Sequence, residues 1–375
     1  MKFSIAQTAL LGALQTASKA VAVRTTKQVL TGILLQAEAE RLIATAYDLE
    51  LGIRVEIPAD DTNLLNVQEA GAIVLPARYL IDVIRKLPTR EISLSVSSNY
   101  MTEIRCGQVE FHLHGIDAAE FPHLPVFTTG RSLEVSSERI RELIQRTAFA
   151  SATSEVRPIL TGVHVERTSS GLVFTATDGL RLATHTVGSD EADDTQWQVN
   201  IPSKSLVELA KILPDSDTPV QVLVSESHSL FVTGNTHFYT RLIEGTYPDT
   251  ARLIPTTHRT EVAVDADLLA GAVDRAALIA RDRENHMVRL EIAGTSIQVS
   301  SSSPEVGNVT EQVEANRMEG DDLSIAFNAR YVLEALRALD ADEVILHFNG
   351  PNQPFTIRAA GTEQSLQLIS PILWR

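Results

Sequence analysis

The sequence predicts an α+β protein: three tandem copies of one domain, each with two helices packed on antiparallel sheets. Three observations predict it. A strand that turns into a helix recurs twice more at near-constant offsets. A second helical pattern recurs at intervals of 126 residues. The segments between read as short strands joined by polar turns. A length of 375 residues suits two or three domains of about 100–200 residues each. With 44% hydrophobic and 21% charged residues, the chain has the composition of a folded protein and not of a disordered one.

KFSIAQTALLGALQTA opens the first copy, with Phe3 and Ile5 alternating in a strand and Leu10 and Leu14 in a helical stripe. SLEVSSERIRELIQRTA repeats it 130 residues on, with Leu133, Val135, Ile140 and Ile144. EVAVDADLLAGAVDRAA follows a further 129 on, with Val262, Val264, Leu269 and Val273. Ser136 and Asp265 stand where helix N-caps belong. Next in each copy, VLTGILLQ (29–36) matches ILTGVHVE (159–166), with a fainter echo in MVRLEIAG (287–294). The second helices start alike: LPARYLIDVIRKLP from Leu75, IPSKSLVELAKILP from Ile201 and FNARYVLEALRALD from Phe327. Strands are expected at 91–96, 101–106, 220–224 and 343–348, and FHLHGIDAAEFPHLP (111–125) parallels FYTRLIEGTYPDTARLIP (238–255). The expected domains are therefore 1–129, 130–258 and 259–375.

Catalytic signatures are missing. The chain has no Walker-type loop, G-x-G-x-x-G, G-x-S-x-G or H-E-x-x-H. Asp48 in TAYDLE and Asp178 in TATDGLRLA have two readings: paired carboxylates for acid–base or metal work, or turn caps bonding nearby N–H groups. The turn reading is preferred, and the matching place in the third copy, SSSPEVG, has no such Asp. His112 and His114 share one face of a strand near His123, and are read as surface or interface residues with no metal assigned. The lone Cys106 excludes a disulfide framework, fits a reducing cytoplasm, and reads as a small buried hydrophobe. The apolar stretch after Lys2 imitates a signal peptide, but Ser4, Gln7 and Thr8 interrupt it and the repeat assigns it to the fold. No run reaches the roughly 20 residues of a membrane span.

The net charge of −16 argues against nucleic acid, because phosphate binding needs a basic surface. Its distribution argues the other way. The six expected helix windows (4–24, 76–90, 136–150, 202–213, 265–283 and 328–339) hold 16 Lys and Arg against 9 Asp and Glu. They carry +7, leaving −23 on the rest of the chain.

The three copies, the TDG-x-R-LA signature and the P-A-R-x-L and F-N-x-x-Y-V helices resemble the bacterial DNA sliding clamps, the beta subunits of DNA polymerase III. The likeness runs from MKFSI to SPILWR, essentially the whole chain. It implies clamp domains in a head-to-tail homodimer whose six domains close a ring, with helices lining the hole and sheets outside. The implied activity is not enzymatic: the ring encircles double-stranded DNA, slides without sequence specificity, and tethers the replicative polymerase as a processivity factor. A cytoplasmic, nucleoid-associated protein is implied, with no cofactor, metal or membrane. A three-domain interaction scaffold that never encircles DNA is the alternative.

The resemblance also assigns residues. Arg24 is the foremost DNA contact, with Arg78, Arg157 and Lys204 beside it. A pocket between the second and third domains is implied to take short peptide motifs of the polymerase III alpha subunit, the clamp loader, and other polymerases and repair proteins. Its matching positions are Leu160, Thr177, Gly179, Arg181, Leu182, Pro248, Arg252, Leu253, Asn328, Tyr331, Pro371 and Ile372. The implied dimer contact rests on Phe111, Leu278 and Ile279, with acidic residues near Glu311, Glu314 and Glu319. Two places depart from the pattern: Leu180 stands where a ring side chain is common, and the tail reads PILWR.

Overall fold

A computed structural model of the chain describes all residues except 89, 128–129, 189–195, 281–285 and 374–375. Six helices are named here in chain order: α1 (Gln7–Ala17), α2 (Ala77–Lys86), α3 (Ser137–Thr147), α4 (Ser203–Ala210), α5 (Ala266–Ala280) and α6 (Ala329–Leu339). Every strand pair among the described residues is antiparallel, from Lys2–Ala6 with Glu91–Val96 to Met101–Cys106 with Val109–His114. The class is α+β.

The repeat holds down to single hydrogen bonds. Each copy opens with a strand that runs straight into a helix, so the helix's first N–H needs an acceptor from elsewhere. Gln7 N–H donates to Arg90 O at 2.9 Å, Ser137 N–H to Thr218 O at 2.8 Å, and Ala266 N–H to Asp342 O at 2.9 Å. In each case the acceptor precedes the strand that pairs with the opening strand. Asp265 also accepts from Leu268 N–H at 2.8 Å, the cap its position forecast. The twelve apolar positions of the three opening patterns are all buried, among them Phe3, Leu14, Leu143's neighbours Ile140 and Ile144, and Val264. Burying a side chain of that size stabilises by roughly 1.5–3 kcal/mol.

Contacts divide the chain into two compact units, and the division cuts through the middle copy. The first unit is Met1–Glu138 with Lys211–Leu242. It holds a five-stranded sheet and an eight-stranded one, and in the latter Leu51–Pro58 of the first copy pairs with Thr236–Arg241 of the second. The second unit is Arg139–Ala210 with Ile243–Arg375. Its nine-stranded sheet joins Arg181–Val187 to Ser365–Ile369, and its four-stranded sheet belongs to the third copy alone.

The helices are shorter than the expected windows. α1 ends at Ala17, followed by a 3₁₀ turn over Ser18–Ala20. Thr16 Oγ1 donates to Gly12 O and Ser18 Oγ to Gln15 O, side-chain bonds that compete with helix continuation. Arg24 therefore lies outside the helix region in which the window placed it. The charge split changes too: the six helices themselves hold 10 Lys and Arg against 7 Asp and Glu, so +3 replaces +7. The other cations of the windows sit at helix flanks, at Lys19, Arg24, Arg90 and Lys211, with Arg281 and Arg283 outside the described residues.

Candidate functional site

The TATDGLRLA loop in the second unit is built by its own polar side chains. Asp178 Oδ1 accepts from Leu180 N–H (2.9 Å) and Arg181 N–H (3.0 Å), the turn-capping role preferred from sequence. Asp48 does the same for Glu50 N–H and Leu51 N–H in the first unit. Thr177 Oγ1 accepts from Gly179 N–H at 3.1 Å and donates to Arg181 O at 2.5 Å. Gly179 has φ +93°, a left-handed backbone that a side chain resists, although the space beside it is open.

Arg181 points inward, only 7% exposed, and is held on every side. Its Nε donates to Asp178 at 3.0 Å, Nη1 pairs with Glu334, and Nη2 donates to Phe149 O at 2.6 Å. The guanidinium carbon lies 4.6 Å from the Tyr331 ring centre and 5.4 Å from that of Phe149. Glu334 also accepts from Arg330 Nε at 2.8 Å. Burial alone would raise the Glu334 carboxyl, but the hydrogen bonds and charges of the two arginines outweigh it and hold the group below its usual range. Burial, aided by Asp178, raises the Tyr331 phenol. A cavity of about 480 Å³ lies alongside, lined in part by Phe149, Glu334, Arg146 and Arg337.

One backbone bond ties the tail to this loop, and a second ties it to the strand before α6. Ser370 N–H donates to Leu180 O at 2.9 Å and Ile372 N–H to Ala326 O at 2.7 Å, which seats half-buried Pro371 and Ile372. Asn328 caps α6 by accepting from Arg330 N–H at 3.0 Å. Leu182 packs with Leu366 and Leu368, and Ile254 joins them. The segment carrying Pro248, Arg252 and Leu253 is anchored by Tyr247, whose hydroxyl accepts from Thr177 N–H at 3.1 Å and whose ring stacks on His164 at 4.9 Å. Burial pushes the Tyr247 phenol up to about 12. Leu160 is buried, while Pro248 and Arg252 are exposed, Arg252 pairing with Asp249 at 2.7 Å. Leu180, Leu253 and Leu373 are each more than half exposed, leaving apolar surface without a partner inside the unit. Trp374 and Arg375 of the tail lie outside the described residues. Glu334, Phe149 and Tyr247 hold the site together, yet the sequence reading passed over them.

Arg24, Arg78, Arg157 and Lys204 are all exposed, and none makes an ion pair with the described residues. Arg78 and Lys204 are each the second residue of a helix. Ala22 N–H donates to Leu30 O and Ala152 N–H to Leu160 O, so the loops after the first two opening helices close alike. In that alignment Arg157, which precedes the 3₁₀ turn Pro158–Thr161, corresponds to Lys27, which precedes Gln28–Thr31. Lys27 is exposed as well, and the repeat offset was the signal that would have found it.

Two strand junctions link the copies, and they share one register. Thr236 faces Val55 in the first unit, and Ser365 faces His185 in the second. Two strands in corresponding places have no such partner among the described residues. Val109–His114 is one edge of the five-stranded sheet, and Gly307–Glu314 is one edge of the four-stranded sheet. Phe111, on the first of these edges, is exposed; so is Leu278 on α5 of the second unit, with Ile279 half-buried. Glu311 is already engaged by Arg275 Nε and Nη2 at 2.8 and 2.5 Å, and Glu319 by Arg317 at 3.3 Å.

Known proteins resemble the chain along its whole length. Profiles of the DNA polymerase III beta subunit match over its N-terminal domain (residues 1–125), central domain (134–249) and C-terminal domain (251–373). The beta sliding clamp of Bacillus subtilis is 40% identical over 375 residues, 99% of each chain. Crystal structures of the sliding clamp from B. subtilis (39% identity, TM-score 0.97) and of the polymerase beta subunit from Streptococcus pyogenes (33%, 0.95) are similar over 100% of both chains.

Proposed function

The chain belongs to the DNA polymerase III beta-subunit family, the sliding clamps, and on that premise we propose that it is a non-catalytic processivity factor. It encircles duplex DNA as a head-to-tail homodimer and tethers the replicative polymerase, the clamp loader and repair proteins through the Arg181 pocket. It works in the cytoplasm at the nucleoid; no helix among the described residues is long and apolar enough to cross a membrane. Three domains near 1–129, 130–258 and 259–375 are retained as the repeating units.

The single observation that carries the dimer is the pair of identical junctions beside two unpartnered edges. Three copies in one chain form two junctions and leave one edge of each kind, so a third junction needs a second chain. Its register follows from the other two. Val109 corresponds to Thr236 and Ser365, because Cys106 faces Val109 as Thr233 faces Thr236. Glu311 corresponds to Val55 and His185, since Ala293 faces Ser296 as Thr168 faces Gly171, and Val299, three residues on, faces Glu311 as Phe174 faces His185. Val109 of one protomer is then opposite Glu311 of its partner, and Phe111 opposite Val309, on the sheet face that α5 covers through the Arg275–Glu311 pair.

DNA contact by Arg24, Lys27, Arg78, Arg157 and Lys204 is supported by their exposure and by the absence of ion-pair partners among the described residues. Contacts of that kind are phosphate-directed and tolerate sliding. The test is retention on nicked circular DNA after loading by a clamp loader. A closed ring stays bound at high salt until the DNA is linearised. A scaffold that only touches DNA is lost equally from circular and linear molecules, and that outcome would refute the reading.

A further inference from the structure

Among the described residues, two groups of three side chains converge as metal ligands could. In the five-stranded sheet these are Glu103, Glu110 and His112. There Arg105 Nε lies 2.5 Å from Glu103 and 3.2 Å from Glu110, so one of the chain's own cations fills the place. The second group lies on the nine-stranded sheet. Glu261 faces His347 in register across the strands Thr260–Asp265 and Glu343–Phe348, and His258 stands just before the first strand.

Both imidazoles direct Nε2 at the same carboxylate oxygen. His347 is 3.0 Å and His258 3.4 Å from Glu261 Oε2, while Arg317 takes the other oxygen at 2.6 Å. We propose that His258, Glu261 and His347 bind one zinc-type divalent ion, clipping the connector that precedes the third copy onto its sheet.

The spacing suits such an ion. Bonds of about 2.0–2.2 Å at tetrahedral angles put ligand atoms about 3.3–3.6 Å apart, close to the two His–Glu distances of 3.0 and 3.4 Å. Two imidazoles and one carboxylate are a donor set for zinc or cobalt rather than for magnesium or calcium, which prefer oxygen alone. Arg317 fixes the carboxylate so that it presents a single oxygen, an outer-shell hydrogen bond of the kind that orients ligands. The backbone is also held in place: Arg259 N–H donates to Phe348 O at 2.9 Å, and Asn349 Nδ2 to Thr257 O at 2.7 Å.

One movement is required. The two rings are stacked 4.1 Å apart and within 3° of parallel, so their lone pairs run side by side and do not meet. His258 is the ring that tilts, because its side chain is 41% exposed against 24% for His347. Three protein ligands then leave a fourth position for water. Sequence spacing could not show this site, since Glu261 and His347 are 86 residues apart and meet only through strand register.

The test titrates the full-length, metal-stripped protein with Co²⁺ and follows the visible absorption of tetrahedral cobalt, with thermal melts in zinc alongside. The expected result is one ion per chain, a rise in melting temperature with zinc, and a loss of affinity of about tenfold or more in His258→Ala and in His347→Ala. His123→Ala, an exposed histidine elsewhere, should bind like the wild type. Circular dichroism checks folding, and His258→Ala removes only an exposed ring. Absence of stoichiometric binding, binding that survives both substitutions, or binding lost instead in His112→Ala would overturn the proposal.

Discussion

At the scale of single residues, Arg181 shows why a charge inside a protein needs several partners at once. Its planar donors reach two carboxylates and a carbonyl while its faces rest on Tyr331 and Phe149, a combination that lysine cannot supply. Glu334→Ala leaves the guanidinium short of a counter-ion and should lower stability by about 1–3 kcal/mol, measured by urea unfolding at neutral pH. The pH dependence has a definite sign. Glu334 is held below its unfolded value, so its contribution is present above about pH 4.3 and is lost as pH falls through the lower folded value. Glu334→Gln should flatten the stability curve in that acid window, and an unchanged slope would contradict the assignment. Arg181 and Tyr331 were legible in sequence because they sit in motifs. Glu334, Phe149 and Tyr247 were not, because their roles arise where segments far apart in the chain come together.

At the scale of elements, helix starts were legible and helix ends were not. Starts are announced by a switch from period two to period three-four, and by caps such as Asp265 and Asn328. Removing the cap with Asn328→Ala should cost about 1 kcal/mol in a thermal melt. Ends depend on hydroxyls such as Thr16 and Ser18 folding back on the backbone, and so the first window ran on to Arg24. The junction strands hold a feature that alternation alone cannot reveal: a half-buried or buried histidine in each. His185 bonds Ser365 Oγ at 2.6 Å near Glu142 and Arg146, and His237 lies across from Arg54 near Glu56. Burial lowers both imidazoles below the usual value. The stability this confers is present above about pH 6.5 and declines as pH falls through the depressed values. Protection factors in the two junction strands, corrected for the intrinsic exchange rate, should therefore fall as pH drops below about 6.5, and His185→Gln should remove that change from its own strand.

At the scale of the whole molecule, the repeats were legible because strand and helix patterns recur at fixed offsets. The two compact units were not. They come from backbone pairing between copies, and a strand's sequence does not reveal which edge its hydrogen bonds will find. A solution mass near twice 40.9 kDa is expected. Cysteines introduced together at Val109 and Glu311 should form interchain disulfides under mild oxidation, and a pair displaced by one residue should form them poorly. Cys106, 3% exposed, should stay out of this chemistry.

The internal junctions have a further consequence for how a thread could enter such a loop. Each lies in the middle of a sheet of eight or nine strands and is also bound by the continuous polypeptide. Parting one would tear a sheet and still leave the chain unbroken across the gap. The proposed seam between separate chains also pairs two strand edges, but no polypeptide crosses it, so the doorway is where covalent continuity ends. Locking that seam with the Val109 and Glu311 cysteines should stop loading onto circular DNA, while rings already threaded should become harder to lose.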